Sequence, residues 1–199
     1  MVLDACHRYN GHMNPLVPLA DELDVNERTL RRAVSDGSLR ATRRTPRTLQ
    51  VSLAEQRYIR HAWPLISALR RALRTEHNVR FALLFGSAAR GTDTPQSDVD
   101  VLVALRDASL DRVVDLEAKL TRATSRRVEV VRLEDAELQP GFLADITGDG
   151  RVLVDREGLW AGLRGRGSRL QRQRRVGRNQ ETMTVLAGVD RFLGARGHG

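Results

Sequence analysis

The sequence is poor in cysteine, in aromatic residues and in long apolar runs. Cys6 is the only cysteine of the 199 residues, which excludes an intrachain disulfide and favours a reducing compartment. Aromatic residues make up 4% of the chain, and no apolar run approaches the length of a membrane span. The first residues also lack the apolar centre of a signal peptide. These absences predict a cytoplasmic protein without a membrane partner.

Positive charge is abundant and is carried almost entirely by arginine. Lysine and arginine total 33 against 25 acidic residues, and Lys119 is the only lysine. The net charge of +8 favours polyanionic partners such as nucleic acid or nucleotide phosphates, or else an acidic protein. The hydrophobic fraction of 41% and the charged fraction of 29% are typical of a globular chain with a packed core.

Residues 1–14 have no helical or strand periodicity and are predicted to be a disordered leader. Cys6, His7 and His12 are potential metal ligands in this segment. Three such residues at a terminus, without a fourth nearby, do not make a closed metal site. No metal function is assigned to the leader.

Residues 15–63 are predicted to form a winged helix-turn-helix domain. Apolar residues recur at helical spacing on both sides of a short turn at residues 24–26, and Gly37 ends the second helix. Two short apolar runs around a polar tip with Pro46 then indicate a small hairpin. Ser52 and Glu55 have the spacing of a capping box that opens another helix. The pattern resembles the small domains of the excisionase and MerR type.

Arginines lie opposite the apolar face of the second predicted helix and on the predicted wing. Such a helix suits the major groove of DNA, with the wing arginines at the phosphates. The alternative is a solvated face on a module that docks a protein. The predicted DNA-binding residues are Arg28, Arg31, Arg32, Arg43 and Arg44.

Residues 64–158 are predicted to form a second domain in which strands and helices alternate. The boundary is placed at Trp63–Pro64, because the residue before a proline resists the helical conformation. An amphipathic helix is predicted after residue 110. Apolar runs predict four strands, at residues 81–85, 99–105, 128–131 and 151–154. This order is typical of an α/β or α+β domain built on a small sheet.

Two aspartates lie at alternate positions of the predicted second strand. Side chains two apart on a strand point to the same side, so Asp98 and Asp100 project together. Close carboxylates repel each other unless a cation lies between them, and Mg²⁺ or Mn²⁺ prefers such oxygen ligands. Glu129 interrupts the apolar run of the third strand and completes the cluster if the two strands are neighbours. Three acids predict a site for two metal ions beside a transferring phosphoryl group.

A glycine and a serine follow the first predicted strand of this domain. Gly86 lets the backbone approach a ligand closely, and Ser87 can open a short helix that holds an anionic triphosphate. Arg90, one turn later, is expected to contact phosphate or to brace the loop through a carboxylate. Nucleotide binding is therefore predicted at Gly86, Ser87 and Arg90.

In combination, these motifs resemble the DNA polymerase β-type nucleotidyltransferase superfamily and, within it, the minimal nucleotidyltransferases. The resemblance covers residues 66–155 and implies a mixed-sheet fold. It implies Mg²⁺-dependent transfer of a nucleoside monophosphate from an NTP, expected to be AMP from ATP, with release of pyrophosphate. Asp98, Asp100 and Glu129 match the family's catalytic acids and metal ligands. The motifs are Gly86-Ser87, Ala89-Arg90-Gly91, Ser97-Asp98-Val99-Asp100 and Glu129.

The expected acceptor follows from the same resemblance. Relatives that act on RNA ends or antibiotics carry additional domains, whereas few residues follow the last predicted strand here. The minimal members resemble antitoxins that transfer AMP to a tyrosine of a helical ribonuclease toxin, so a toxin protein from the adjacent gene is the expected partner. Two alternatives stay open. One is a DNA-binding transcriptional regulator that only senses nucleotide, and the other is a transferase acting on RNA or a small molecule.

Residues 159–199 are predicted to be a basic C-terminal segment that ends in an amphipathic helix. Seven arginines and no acid lie between residues 163 and 178. Gly162, Gly165 and Gly167 would each weaken a helix there by about 1 kcal/mol. This stretch is expected to extend a nucleic-acid surface, to dock an acidic partner or simply to be solvated.

Overall fold

The structure, a computed structural model, describes residues 16–43 and 49–172. The predicted leader, the tip of the predicted wing with Arg44, and the predicted terminal helix lie outside these residues. Within the described part of the chain, no helix combines the length and the apolar character that a membrane crossing requires.

Two short helices open the described chain, α1 (Leu16–Glu22) and α2 (Glu27–Asp36). The turn between them includes Asp24 at a φ of 51°, a conformation that aspartate tolerates better than most residues. The Asn26 side chain accepts a hydrogen bond from the amide of Arg28 and caps α2. Two short strands then pair antiparallel, β1 (Thr42–Arg43) and β2 (Leu49–Gln50). This order of elements is the predicted one, and the assignment as a winged helix-turn-helix stays a prediction.

Helix α3 (Leu53–Arg74) runs without a break through Pro64. The interruption predicted at Trp63–Pro64 is therefore wrong. A proline inside a helix costs about 3 kcal/mol, whereas burying one large apolar side chain contributes about 1.5–3 kcal/mol. Both halves of α3 bury such side chains: Ile59 and Trp63 precede the proline, and Ile66 and Leu69 follow it. Tertiary packing therefore outweighs the local effect of the proline. The boundary between residues 63 and 64 stays a prediction, although one helix crosses it.

A four-stranded mixed sheet forms the centre of the molecule. Its order is β5-β4-β3-β6; β3 pairs antiparallel with both β4 and β6, while β4 and β5 are parallel. The sheet confirms the predicted mixed-sheet α/β class. The strands are β3 (Val79–Phe85), β4 (Val99–Leu105), β5 (Val128–Arg132) and β6 (Arg151–Asp155).

Five further helices complete the described chain. Glu134, Asp135 and Glu137 lie on a short helix, and residues 140–149 form a helix that the sequence did not predict. The last helix continues through Gly162, Gly165 and Gly167 despite their low helix propensity. The bounds are α4 (Gly86–Arg90), α5 (Leu110–Thr124), α6 (Leu133–Glu137), α7 (Pro140–Asp149) and α8, described over residues 159–172.

Strand β4 separates two hydrophobic cores. Val99 and Val101 are fully buried on the face that packs against α3 and α5. Leu102 and Ala104 point to the opposite face, whose core includes residues of α6, α7 and α8. Because side chains alternate along a strand, Asp100 shares the face of Leu102. The predicted acids therefore lie on the side of the sheet that α7 and α8 cover.

The N-terminal helices pack on the same face of the sheet as α3 and α5, and they share the hydrophobic core of that face. Leu16 of α1 and Leu30 of α2 are fully buried in the same cluster as residues of β3 and β4. The backbone continues this contact at strand β6, where the amide of Val152 donates to the carbonyl of Gly37 at 3.3 Å. The hydroxyl of Ser38 donates to the carbonyl of Val152. Residues 16–43 and the sheet are consequently one packed unit.

Candidate active site

Asp100 lies in the second position of β4, between two neighbouring strands. In the pairing register it faces Phe85, the last residue of β3, on one side and Glu129 of β5 on the other. Paired positions on adjacent strands are about 5 Å apart and direct their side chains to the same face. The strands that carry Asp100 and Glu129 are thus neighbours, which is the condition on which the three-acid cluster depended, and the Glu129 side chain is exposed.

Asp98 immediately precedes β4 and is held by the loop before it. Arg126 organises this loop, because one nitrogen of its guanidinium contacts the buried carboxylate of Asp93 at 2.7 Å and another donates to the carbonyl of Ser97 at 2.8 Å. Asp98 itself lies 3.5 Å from a guanidinium nitrogen of Arg127, whose side chain is 75% exposed. An ion pair this exposed contributes at most about 1 kcal/mol. Arg127 therefore does not lock Asp98 away from the site.

The pKa of Asp100 is raised above its ordinary value. Partial burial is the largest cause, followed by the negative charges of Glu129 and Asp98, while Arg90 opposes the shift. Both acids therefore lie close enough to Asp100 to act on it electrostatically. The strand pairing places only Glu129 beside Asp100, because Asp98 precedes β4. A cation among the three carboxylates would relieve this repulsion.

The three acids are not drawn together around a common centre. Within residues 16–43 and 49–172, no group of three or more His, Cys, Asp or Glu side chains is arranged to hold a metal ion. Carboxylates that repel one another have a physical reason to stand apart. The donor atoms are nevertheless the hard oxygens that Mg²⁺ and Mn²⁺ prefer, and the charge repulsion at Asp100 is the kind that a divalent ion compensates.

Gly86, the first residue of α4, lies directly against the carboxylate of Asp100. Its φ is +70°, and a Cβ atom at this position would lie 2.0 Å from an Asp100 carboxylate oxygen. Any other residue would clash with the acid and would also be strained. The glycine thus lets the α4 backbone approach Asp100 closely, whereas the sequence predicted a close approach to a ligand.

An open cleft of about 490 Å³ adjoins Gly86 on the covered side of the sheet. Phe85 and Phe142 meet edge to face in its wall, with ring centroids 5.7 Å apart. Arg90 also lines the cleft, is exposed and contacts Asp149 at 3.7 Å. Ser87 is the second residue of α4 and is half-buried. The predicted nucleotide-binding residues Gly86, Ser87 and Arg90 therefore belong to one short helix beside Asp100.

Helix α4 is held from behind by residues that the sequence did not single out. The hydroxyl of Tyr58, on α3, donates to the carbonyl of Ala88 at 3.1 Å. Arg151, at the start of β6, donates from Nε to the carbonyl of Ala89 at 2.9 Å. The Arg151 guanidinium carbon lies 3.4 Å from the centroid of the Tyr58 ring, and burial raises the pKa of this tyrosine to about 12. Tyr58 therefore stays a neutral hydrogen-bond donor.

A buried ion pair anchors this support. Glu55 and Arg151 contact each other at 2.5 and 3.0 Å, and their side chains are 8% and 3% exposed. Glu55 also accepts a hydrogen bond from the backbone amide of Arg40 at 2.9 Å. Ser52 does cap α3 by accepting from the Glu55 amide, but the Glu55 carboxylate binds Arg151 and Arg40. The N-terminal residues thus contact the backbone of the candidate site through one salt bridge.

The predicted DNA-binding residues lie on the surface of the N-terminal elements. Arg28, Arg31 and Arg32 are exposed on α2, and Arg43 is exposed on β1. Arg31 pairs with Glu27 one turn earlier at 2.7 Å. Arg44 lies outside the described residues. The arginines of α2 thus face solvent, opposite its buried residues.

Several solved structures are partly similar to this chain. A toxin–antitoxin crystal structure with AMP-PNP is 20% identical, covers 61% of this chain and 98% of its own, and has a TM-score of 0.47. A tri-AMPylated HEPN toxin in complex with MNT antitoxin, from Shewanella oneidensis, is 17% identical with coverages of 63% and 98% and a TM-score of 0.44. A putative nucleotidyltransferase from Sulfolobus solfataricus is 17% identical with coverages of 55% and 93% and a TM-score of 0.35.

The family match concerns the central part of the chain. No curated protein matches the sequence. Residues 68–158 match the family model described as "Polymerase beta, Nucleotidyltransferase", which spans the end of α3, the whole sheet and the three acids. Residues 68–158, less than half of the chain, are therefore similar to a nucleotidyltransferase domain of the polymerase β type, and α1, α2 and the larger part of α3 precede them.

Proposed function

We propose that the protein transfers a nucleoside monophosphate, AMP from ATP, to a hydroxyl of a protein acceptor. One observation supports this above all. Asp100 stands in register between the end of β3 and Glu129, and Gly86 leaves its carboxylate in direct contact with the backbone that would carry the nucleotide phosphates. Partial burial and two neighbouring acids raise the pKa of Asp100, so its charged form is unfavourable for folding and we assign it to chemistry.

Asp98, Asp100 and Glu129 would hold the divalent ions, Mg²⁺ or Mn²⁺. Bound there, the ions would neutralise the negative charge on the transferring phosphoryl group. The chain's own acids contribute in different ways. Asp100 is half-buried and fixed by its strand, whereas Glu129 is exposed and free to accept the proton of an incoming hydroxyl. The acceptor oxygen would bond to the α-phosphorus as the bond to pyrophosphate breaks.

The nucleotide would lie along α4 and in the adjoining cleft. Ser87 would donate its hydroxyl to the triphosphate, and the exposed guanidinium of Arg90 would pair with phosphate oxygens. The apolar wall formed by Phe85 and Phe142 would pack against the rest of the nucleotide. We assign the base as adenine from the family resemblance of the motifs.

A protein acceptor suits the exposure of the site. Glu129 lies at the surface, and the Asp98 side chain is 41% exposed, so a hydroxyl on a large molecule could reach both. The resemblance to minimal antitoxin-type transferases makes the toxin encoded by an adjacent gene the first acceptor to test.

The N-terminal module would bind DNA through α2. Its exposed arginines Arg28, Arg31 and Arg32 lie opposite buried Leu30 and Ala33, so α2 presents a basic face to solvent. Arg43 on β1 and Arg44 beside it would contact phosphates from the wing. The protein would thereby combine transfer chemistry with binding near its own genes.

The test is incubation with ATP labelled at the α-phosphate, with Mg²⁺, and with the product of the adjacent gene. We expect label on the partner protein, release of pyrophosphate in equal amount, and no transfer when a chelator removes divalent ions. ATP binding without pyrophosphate release, across acceptors that include the partner and RNA, would contradict transfer and support a nucleotide-sensing regulator. Label on RNA in place of protein would contradict the acceptor only.

We expect Gly86→Ala to lower transfer by at least about 100-fold, because the added Cβ would displace the Asp100 carboxylate. Gly158→Ala is the matched control. Gly158 has the same φ of +70° but no atom within 4 Å, so both variants share the backbone strain, about 1–3 kcal/mol, and only the first disturbs Asp100. Thermal unfolding and kcat/KM are measured for both. Equal activity in the two variants would show that the contact with Asp100 has no catalytic importance.

A further inference from the structure

A second basic surface lies away from the three acids. A groove of about 470 Å³ runs between α2, the C-terminal half of α3 and β6. None of its lining residues is acidic. We call it the arginine groove, and its arginines are Arg32, Arg70, Arg71, Arg74 and Arg156.

Two of these arginines are fixed by the protein. Arg70 pairs with Asp36 at the end of α2 at 2.6 Å and also contacts the Ser38 hydroxyl. Arg156 donates to backbone carbonyls at the end of α3, at 3.1 Å to Leu73 and 2.7 Å to Glu76. These contacts close the base of the groove and hold α2, α3 and β6 in a defined relation. The charge of the groove is therefore displayed on a rigid frame.

The other three arginines contact no anionic group within the described part of the chain. Among residues 16–43 and 49–172, Arg32, Arg71 and Arg74 have no ion pair or side-chain hydrogen bond. Arg71 and Arg74 are neighbours on one helix face, where like charges repel. Interaction with the helix dipole favours a cation in the last turn of α3, but it does not explain Arg32, which comes from another helix. An external anion would satisfy all three.

We propose that the arginine groove binds the phosphate backbone of double-stranded DNA next to the segment that α2 contacts. This inference rests on the proposed DNA binding by α2 and extends it onto the nucleotidyltransferase domain. Arg32 belongs to both surfaces, since it is exposed on α2 and lines the groove. The hydroxyl of Thr29 adds an uncharged donor of the kind that phosphate oxygens accept, whereas the Ser67 hydroxyl already donates to the carbonyl of Pro64. We choose a duplex backbone over an acidic peptide because Arg32 lines the groove and also belongs to the exposed face of α2 that is proposed to bind DNA.

The experiment compares the full-length double variant Arg71→Ala plus Arg74→Ala with the matched control Arg112→Ala plus Arg122→Ala. The control removes the same charge from α5, outside the groove. Fluorescence anisotropy measures binding to a duplex from upstream of the gene and to a random duplex at several salt concentrations. We expect the groove variant to bind both duplexes at least about 10-fold more weakly, with a salt slope reduced by about 2, and the control to bind like the wild type.

A third variant, Arg28→Ala, separates this inference from DNA binding by α2 itself. If Arg28→Ala weakens binding but the groove variant does not, the groove inference is wrong and binding by α2 stands. If the wild-type protein binds neither duplex, both are wrong, whatever the transferase assay gives. Preferential binding of an acidic peptide that the groove substitutions abolish would assign the groove to a protein instead. Unchanged thermal unfolding of the groove variant establishes that it folds.

Discussion

Replacing Glu55 with alanine is expected to lower the free energy of unfolding by about 3–5 kcal/mol, because Arg151 would be left buried and without its carboxylate. The loss would extend to the site, since Arg151 also donates to the backbone of α4. We therefore expect weaker ATP binding at temperatures where the variant is still folded. Chemical denaturation gives the first quantity, and calorimetric titration with ATP gives the second.

The matched control is Glu22→Ala. Glu22 pairs with Arg60 between α1 and α3, but both side chains are more than 40% exposed, so the expected loss of stability is much smaller than for Glu55→Ala. Equal losses in Glu55→Ala and Glu22→Ala would mean that burial gives the Glu55–Arg151 pair no special importance. A second variant, Tyr58→Phe, removes only the hydrogen bond to Ala88. It is expected to affect ATP binding with little change in stability.

Replacing Asp100 with asparagine is expected to reduce transfer by at least about 100-fold while leaving the metal-free protein as stable as the wild type or more stable. The pKa of Asp100 is raised in the folded state, mainly by burial and then by Glu129 and Asp98. A carboxylate with a raised pKa opposes folding once the pH exceeds its ordinary pKa, and the neutral amide removes that opposition. The stability advantage should therefore grow from acidic to neutral pH.

The matched control is Asp115→Asn, an exposed aspartate on α5. It makes the same change in charge outside the candidate site and should leave activity unchanged. Activity is measured as transfer of labelled AMP, and stability by thermal unfolding in the presence of a chelator. Full activity of Asp100→Asn would refute the assignment of this acid to the chemistry, and a large loss of stability would assign it to the fold.

The sheet and its acids could be read from local patterns. Short apolar runs located all four strands, because strands buried on both faces are continuously apolar. The alternation of Asp98 and Asp100 predicted a common face, and the negative charge of Asp98 does contribute to the raised pKa of Asp100. Whether Glu129 lies beside Asp100 depends on the order of the strands. The local pattern leaves this order open, and the parallel register of β4 and β5 provides it.

Other features could not be read because distant packing decides them. Pro64 predicted a break, yet α3 is continuous since both of its halves bury apolar residues. The Glu55 position looked like half of a capping box, and its actual partner, Arg151, lies 96 residues away. The support of α4 by Tyr58 likewise depends on a contact across 30 residues that no local pattern marks. These residues join the N-terminal elements to the candidate site.

The contact of Gly37 and Ser38 with β6 has a consequence for solubility. Strand β6 is the last strand on its side of the sheet, and such a strand offers unpaired backbone groups to other chains. Here the amide and the carbonyl of Val152 are occupied by the residues that follow α2. In a shortened chain without these residues, the backbone of β6 would be free to pair with another molecule and cause aggregation. The N-terminal elements therefore also protect the edge strand β6 from such pairing.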